Sequence, residues 1–306
     1  MREIFFDTLM NIAKNNDRIF LLAGDVGYGI FKKYKNTFPK RMINVGVAEA
    51  NLIGIGAGLS LSGKNVYCYS ITPFITTRCF EQIRIDLCYQ NLDVKLVGSG
   101  AGLTYGLEGM THHAIEDISI MRSLPNMTVV APGDPIEYKA IARLSVSQKG
   151  PMFIRLEKKY KPKIHSDSTK FKIGKGSIID EGNDITIIAT GSMLHTAKIV
   201  SDELRKRGIS ATLISMHTIK PLDETLILDC AKNSNAIFTI EEHSIIGGLG
   251  SAVSEVLSEV SYSGLFKRIG LPDKYHNTVG TPEYLRKKCS LTPEQIEKTI
   301  IKLYKK

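Results

Sequence analysis

The chain has 306 residues, 43% hydrophobic and 23% charged, a composition typical of soluble globular proteins and ample for two domains with their own cores. No apolar run approaches the roughly 18 residues of a membrane span, and acids interrupt the N-terminus Met1-Arg-Glu-Ile-Phe-Phe-Asp7, so neither a span nor a secretory signal is expected and the cytoplasm is the simplest location. The formal charge of +9 is spread along the chain without an aromatic-interleaved basic stripe, which argues against nucleic acid and for a solvated surface that attracts acidic small molecules. The five cysteines, Cys68, Cys79, Cys88, Cys230 and Cys289, lack Cys-x-x-Cys spacing and read as buried thiols rather than disulfides or metal ligands.

Apolar helical spacing marks residues 2–15, 47–62, 74–90 and 135–148, and β-rich runs at 18–24, 65–70, 93–98, 127–132 and 151–156 lie between or beside them. That alternation predicts βαβ units and a largely parallel sheet. The segment 158–172 is basic, polar and without periodicity, so it reads as a linker or long surface loop. The pattern then restarts with a strand at 184–190, a helix from Met193 to Arg207, strands at 210–215 and 236–240, and helices between and after them. The expected fold class is α/β, with two domains, each a mostly parallel twisted sheet flanked by helices, divided as 1–160, a linker 161–174, and 175–306.

Several clusters carry chemistry. Glu49 is an acid inside an otherwise small, apolar, glycine-dotted stretch, Asn44 to Leu59, where a helix cap or an ion pair is the ordinary explanation. Gly58-Leu-Ser-Leu-Ser-Gly63-Lys64-Asn65 lacks the hydroxyl of a phosphate loop and precedes a strand, so Gly63 reads as a helix C-cap. Gly24-Asp25 and Gly98-Ser-Gly100 follow strands, at the sheet edge where ligands collect, but neither carries the dinucleotide fingerprint. Glu108-Gly-Met-Thr-His112-His113 matches no common zinc spacing; its histidines suit hydrogen bonding or proton transfer, or lie in a surface loop. Glu241-Glu242-His243 opens a helix, as part of a site or of a crowded interface turn.

Taken in order, Gly24-Asp25, Asn44-Val-Gly-Val-Ala-Glu49, Tyr69-Ser-Ile-Thr-Pro-Phe74 with Arg78, Glu108-Gly-Met-Thr-His112, Leu124 to Pro132 and Glu241 to Gly250 resemble the C-terminal half of transketolases and deoxyxylulose-phosphate synthases, of the thiamine-diphosphate superfamily. The resemblance covers nearly the whole chain. It implies that Glu49 hydrogen-bonds the cofactor's aminopyrimidine, a role served by an apolar site that keeps the carboxyl's pKa raised. It implies further that Phe74 stacks on the pyrimidine, with Ile75 and Arg78 as candidate contacts, that Asp25 lies near the cofactor, that His112 stands beside the substrate carbonyl, and that Glu108 contacts a donor hydroxyl. Arg155 is expected to grip a sugar phosphate. Gly100 stands where transketolases carry a phosphate-contacting histidine, so phosphate recognition is expected to differ.

Full-length relatives also carry a Gly-Asp-Gly motif with a later Asn that holds the diphosphate through Mg²⁺, and Gly24-Asp25-Val26 does not supply it. The expectation is therefore a half-enzyme. An N-terminal partner subunit would ligate Mg²⁺, this chain would contribute no metal ligand, and two copies of each chain would form a heterotetramer around a homodimer of this one. Ketol transfer between sugars or sugar phosphates is the expected reaction. A deoxyxylulose-phosphate-synthase half and the β subunit of a 2-oxoacid dehydrogenase are the rival readings.

Overall fold

The computed structural model describes residues 1–305. Twelve strands form two sheets. The first contains β1 (Ile19–Ala23), β2 (Met42–Asn44), β3 (Asn65–Ile71), β4 (Val94–Ser99), β5 (Thr128–Val130) and β6 (Met152–Leu156). The second contains β7 (Ser177–Asp180), β8 (Ile185–Ala189), β9 (Ala211–Ser215), β11 (Ala236–Ser244) and β12 (Leu265–Leu271). The remaining strand, β10 (Thr218–Lys220), comes from the second half of the sequence but joins the first sheet, giving the orders β10-β5-β6-β4-β3-β1-β2 and β12-β11-β8-β9-β7. Pairing is parallel except for β10 on β5 and β7 on β9, both at sheet edges.

The mostly parallel, two-sheet expectation is met, and its physical source is visible in the central strands. Every residue of β4, β6 and β8 is buried, as strands covered by helices on both faces require. The aromatic rings of Phe6, Phe31 and Tyr69 meet edge to face at centroid distances of 4.8–5.3 Å and lock helix α1 (Arg2–Ala13) and helix α2 (Tyr28–Thr37) onto β3. Burial of each such ring contributes about 1.5–3 kcal/mol, and the cluster ends one residue short of Ser70. Packing therefore fixes the strand that presents Ser70 to the site.

Helix α3 (Glu49–Leu61) crosses from β2 to β3. A Cβ on its Gly56 would lie 2.8 Å from the Cys68 sulfur, so glycine there lets the helix press against β3. The helix ends with Ser62 at the C-cap and Gly63 just after it at φ +79°, which disposes of the phosphate-loop likeness. The single helix expected over 74–90 is interrupted: helix α4 (Thr72–Thr76), a short turn at Phe80–Gln82 and a π-helical stretch Ile83–Tyr89 replace it. All five cysteines are free and buried.

The linker is anchored rather than loose. Ile164 and His165 donate backbone N–H groups to the Asp134 carboxylate, both at 2.8 Å, and the His165 ring is buried between Asp134 and Glu137. Together with β10 and the polar contacts described below, this makes the boundary between the sheets a continuous interface.

Candidate active site

The chain runs from β1 outward to β2 and then returns to β3 on the other side of β1. Such a reversal opens a crevice at the carboxyl ends of the strands, where open α/β sheets bind ligands. Gly24 follows β1, Ser70 lies near the end of β3, and Glu49 begins α3 between them. Glu49 is 1% exposed. One carboxylate oxygen accepts the Ser70 hydroxyl at 2.8 Å and the other accepts the Arg78 guanidinium at 2.7 Å. A Cβ on Gly24 would stand 3.2 Å from the Ser70 hydroxyl and 3.5 Å from a Glu49 oxygen, so glycine there leaves the Ser70–Glu49 pair uncrowded. The apolar surroundings expected of Glu49 are thus replaced by polar partners on both oxygens, and its place at the first turn of α3 adds the positive end of the helix dipole.

From Glu49 a row of side chains runs along the crevice. The Arg78 guanidinium lies 4.3 Å from the centre of the Phe74 ring, Phe74 meets the His112 ring edge to face at 5.0 Å, and His112 faces Tyr105 at 6.0 Å. The Lys158 ammonium lies 5.1 Å from the centre of the Tyr105 ring. The His112 Nδ1 is 2.9 Å from the Thr111 hydroxyl, leaving Nε2 as the nitrogen for a ligand. Of the residues singled out in the sequence, Glu49, Phe74, Arg78 and His112 therefore come together.

Asp25 belongs to a neighbouring group. At φ +57°, its N–H donates to the Asn44 side-chain oxygen at 3.0 Å, and its carboxylate accepts from the Asn44 amide at 2.8 Å and from the Tyr28 hydroxyl. Those bonds, Tyr28's first, hold the Asp25 carboxyl below its ordinary pKa. Glu108 sits exposed in the turn before His112, and its carboxylate makes no ion pair among the described residues. His113, beside His112, is buried near the Met110 sulfur at 3.3 Å, and burial lowers its pKa, so the pair does not act as a unit.

Arg155 does not fit the phosphate-gripping role. It is 2% exposed, its Nε and Nη2 bond the Asp117 carboxylate at 2.6 and 3.2 Å, and Nη2 also reaches the carbonyls of Ala114 and Glu242 at 2.8 and 3.0 Å. The alternation of β6 turns it into the interface between the sheets. A second cation in the row, beside Arg78, is Lys158, just beyond β6, whose only sequence signal is the basic character of residues 158–172. Gly100 is filled in another way: at φ +90°, its Cβ would lie 2.1 Å from the Tyr105 ring, so Tyr105 occupies the space a side chain there would need. Ser70 was also missed, although a lone hydroxyl on the face of β3 opposite Tyr69 was its signal.

The Glu241-Glu242-His243 cluster resolves as interface. Glu241 accepts the N–H groups of Leu249 and Gly250, both at 2.8 Å, at the start of a helix, while its burial pushes its pKa up to about 7. His243 is held neutral by burial, with its pKa down to about 4; Nδ1–H donates to the Ser244 carbonyl at 2.7 Å and Nε2 accepts the Ser119 N–H at 3.3 Å. Among the described residues no cluster of three or more His, Cys, Asp or Glu side chains suits a metal ion, and no helix is long and apolar enough to cross a membrane.

Two mostly parallel sheets flanked by helices, the first with a buried acid at its strand-order reversal, define a two-domain α/β protein of the kind that binds ligands at such a reversal. Residues 1–162 match the transketolase pyrimidine-binding domain and residues 174–296 the transketolase C-terminal domain, so the chain belongs to the transketolase family. It is 40% identical to the 6-deoxy-6-sulfo-D-fructose transketolase subunit of Clostridium sp. strain MSTE9, over 97% of this chain and 92% of that one. It is 32% identical to an apulose-4-phosphate transketolase subunit of Actinobacillus succinogenes strain 130Z, over 97% and 96%. A solved split-gene transketolase, in an inactive β4 tetramer, superposes with a TM-score of 0.90 at 36% identity, over 98% of this chain and 97% of that one.

Proposed function

We propose that this chain is the pyrimidine-binding subunit of a two-subunit, thiamine-diphosphate-dependent transketolase, moving a two-carbon ketol unit from a ketose donor to an aldose acceptor. The observation that carries the proposal is the buried Glu49 carboxylate, held by Ser70 and by Arg78, whose guanidinium links it to the Phe74 ring. A buried carboxylate and an aromatic ring joined by one guanidinium fit an aminopyrimidine, which offers ring nitrogens to hydrogen-bond and a flat face to stack. Thiamine diphosphate, when bound, supplies the nucleophilic carbon and the electron sink needed to break a bond next to a carbonyl.

The chain's own residues then have distinct tasks. Glu49 holds a proton at a pyrimidine nitrogen, with Ser70 fixing one oxygen. Arg78, 2.7 Å from the other oxygen and stacked on Phe74, sets the carboxylate's direction. His112 offers Nε2 to a substrate oxygen, and Glu108 accepts a donor hydroxyl from its exposed turn. Asp25, fixed by Asn44 and Tyr28, borders the cofactor end. Lys158, at the far end of the row, attracts an anionic sugar terminus; relatives named for a sulfonated and a phosphorylated sugar favour such a substrate.

The large side chains of Tyr28, at the start of α2, and of Val47 and Leu107, on loops beside the site, are 67–72% exposed and favour a partner chain over open solvent. An N-terminal subunit carrying the Mg²⁺ and diphosphate site, with two copies of each chain, satisfies that surface. The test is to mix this chain with such a subunit, thiamine diphosphate and Mg²⁺, and to follow ketose formation from candidate donors and aldoses. Ketol transfer by the mixture and by neither chain alone is expected. Release of CO₂ from pyruvate without ketose formation would defeat the proposal.

A further inference from the structure

The second domain contributes none of the row from Glu49 to Lys158, yet it grips the loop that carries His112. That loop, Gly102 to Ala114, is pinched at its base by a bridge in which the Ala114 N–H donates to the Gly102 carbonyl at 2.9 Å. Both sides of the pinch rest on Glu242. Its Oε1 accepts the Leu103 N–H at 3.2 Å, and its carbonyl is tied to Ala114 through Arg155, which donates to both carbonyls. Gly102 is at φ +57°, and a Cβ there would lie 2.5 Å from Glu242 Cγ, so the loop base lies directly on this side chain.

Glu242 is in turn immobilised. Arg286, from the helix Pro282–Lys288, meets it with Nε at 3.0 Å and Nη2 at 2.5 Å, and the Ser192 hydroxyl donates to Oε2 at 2.6 Å. The far side of the loop is pressed on the same domain. The Gly280 N–H donates to the Gly106 carbonyl at 3.1 Å, and a Cβ on Gly106 would come within 2.4 Å of the Gly280 carbonyl oxygen. A carboxylate with four donors in fixed directions has one orientation, and the peptide it receives inherits that orientation.

We propose that Glu242 is a positioning residue for ketol transfer: by holding the Leu103 peptide it sets the height of the Gly102–Ala114 loop and so the place of His112 against the substrate. The proposal rests on the substrate role given to His112 above. It gives the second domain a part in the reaction, through the loop it carries rather than through any group it places at the reacting atoms.

The experiment compares Glu242→Gln with wild type in the assembled two-subunit enzyme. The amide keeps the volume but turns an acceptor into a donor facing Arg286 or Ser192, so the loop base shifts. The expected result is a fall in kcat on the order of a hundredfold, as ångström-scale misplacement produces. In a His112→Ala background the same change is expected to add little, because both act through one group. An equal further loss in that background, or an unchanged kcat in Glu242→Gln alone, overturns the proposal. Should Glu242→Gln fold poorly, the neutral pair Glu242→Gln with Arg286→Met removes both charges and is read in the same way. Should His112→Ala leave ketol transfer intact, the substrate role of His112 fails, and amide hydrogen exchange decides for the loop. Faster exchange over Leu103–His112 in Glu242→Gln sustains the anchoring, and unchanged protection refutes it.

Discussion

Replacing Glu49 by Gln separates the chemical role of this carboxylate from its structural one. The change keeps shape, and Gln can still accept the Ser70 hydroxyl through its carbonyl oxygen, so one of the two Glu49 contacts survives. The other contact, to Arg78, is lost as an ion pair. Stranding a buried charge would cost about 3–5 kcal/mol, but the Arg78 side chain is 45% exposed and can turn into water. The loss is therefore closer to the value for a screened surface pair, about 1 kcal/mol or less. For a chain of this size that lowers the unfolding midpoint by only about 2 °C or less. Turnover is a different matter, since a group that holds a proton at the reacting cofactor is worth about a hundredfold to ten-thousandfold in rate. The assay is ketose formation by the assembled enzyme, beside thermal unfolding of the isolated chain. Near-normal turnover in Glu49→Gln, with the small stability change observed, would remove the carboxylate from the mechanism. A large stability loss would instead show that Glu49 is a core ion pair and that Arg78 cannot leave it.

Other substitutions check the remaining assignments. Arg155→Met strands the Asp117 carboxylate in the interface and is expected to cost about 3–5 kcal/mol, read as a lower urea midpoint, whereas a phosphate-binding arginine would raise the donor KM with the fold unharmed. Lys158→Met is expected to raise the KM for a phosphorylated or sulfonated donor about tenfold or more while sparing an uncharged ketose, and equal effects on both donors would remove Lys158 from anion recognition. His243 is neutral in the fold, with its pKa lowered by burial from 6.5 to about 4, so the unfolded chain binds the extra proton between those values. Its contribution is complete above about pH 6.5 and is lost as pH falls toward 4, at up to about 1.4 kcal/mol per pH unit. In Glu241 the raised pKa acts in the opposite sense between 4.5 and about 7, so the comparison must be made against His243→Asn at each pH. Unfolding midpoints should fall less steeply with acid in His243→Asn, and parallel curves would refute the assignment.

What the sequence revealed and what it concealed divide along a physical line. Periodicity reports one-dimensional facts, so the buried central strands β4, β6 and β8 were legible as apolar runs, and Glu49 was legible as a charge where the pattern wanted none. Three-dimensional facts left weaker traces. Strand β10 is three residues whose partner, β5, lies far back in the chain, and no local pattern announces an edge strand that crosses between sheets. Arg155 and Lys158 stand three positions apart beside one strand, and their fates depend on which way β6 turns each of them. Arg155 faces the second domain and meets Asp117, whose own sequence gives no sign that it is reserved for an arginine. Lys158 lies past the strand end and is free to reach Tyr105. The same logic governs Glu242 and His243, which in sequence read equally well as a site or as an interface. Four donors converging on one carboxylate decide for the interface, and the loop resting on that carboxylate joins the interface to the site.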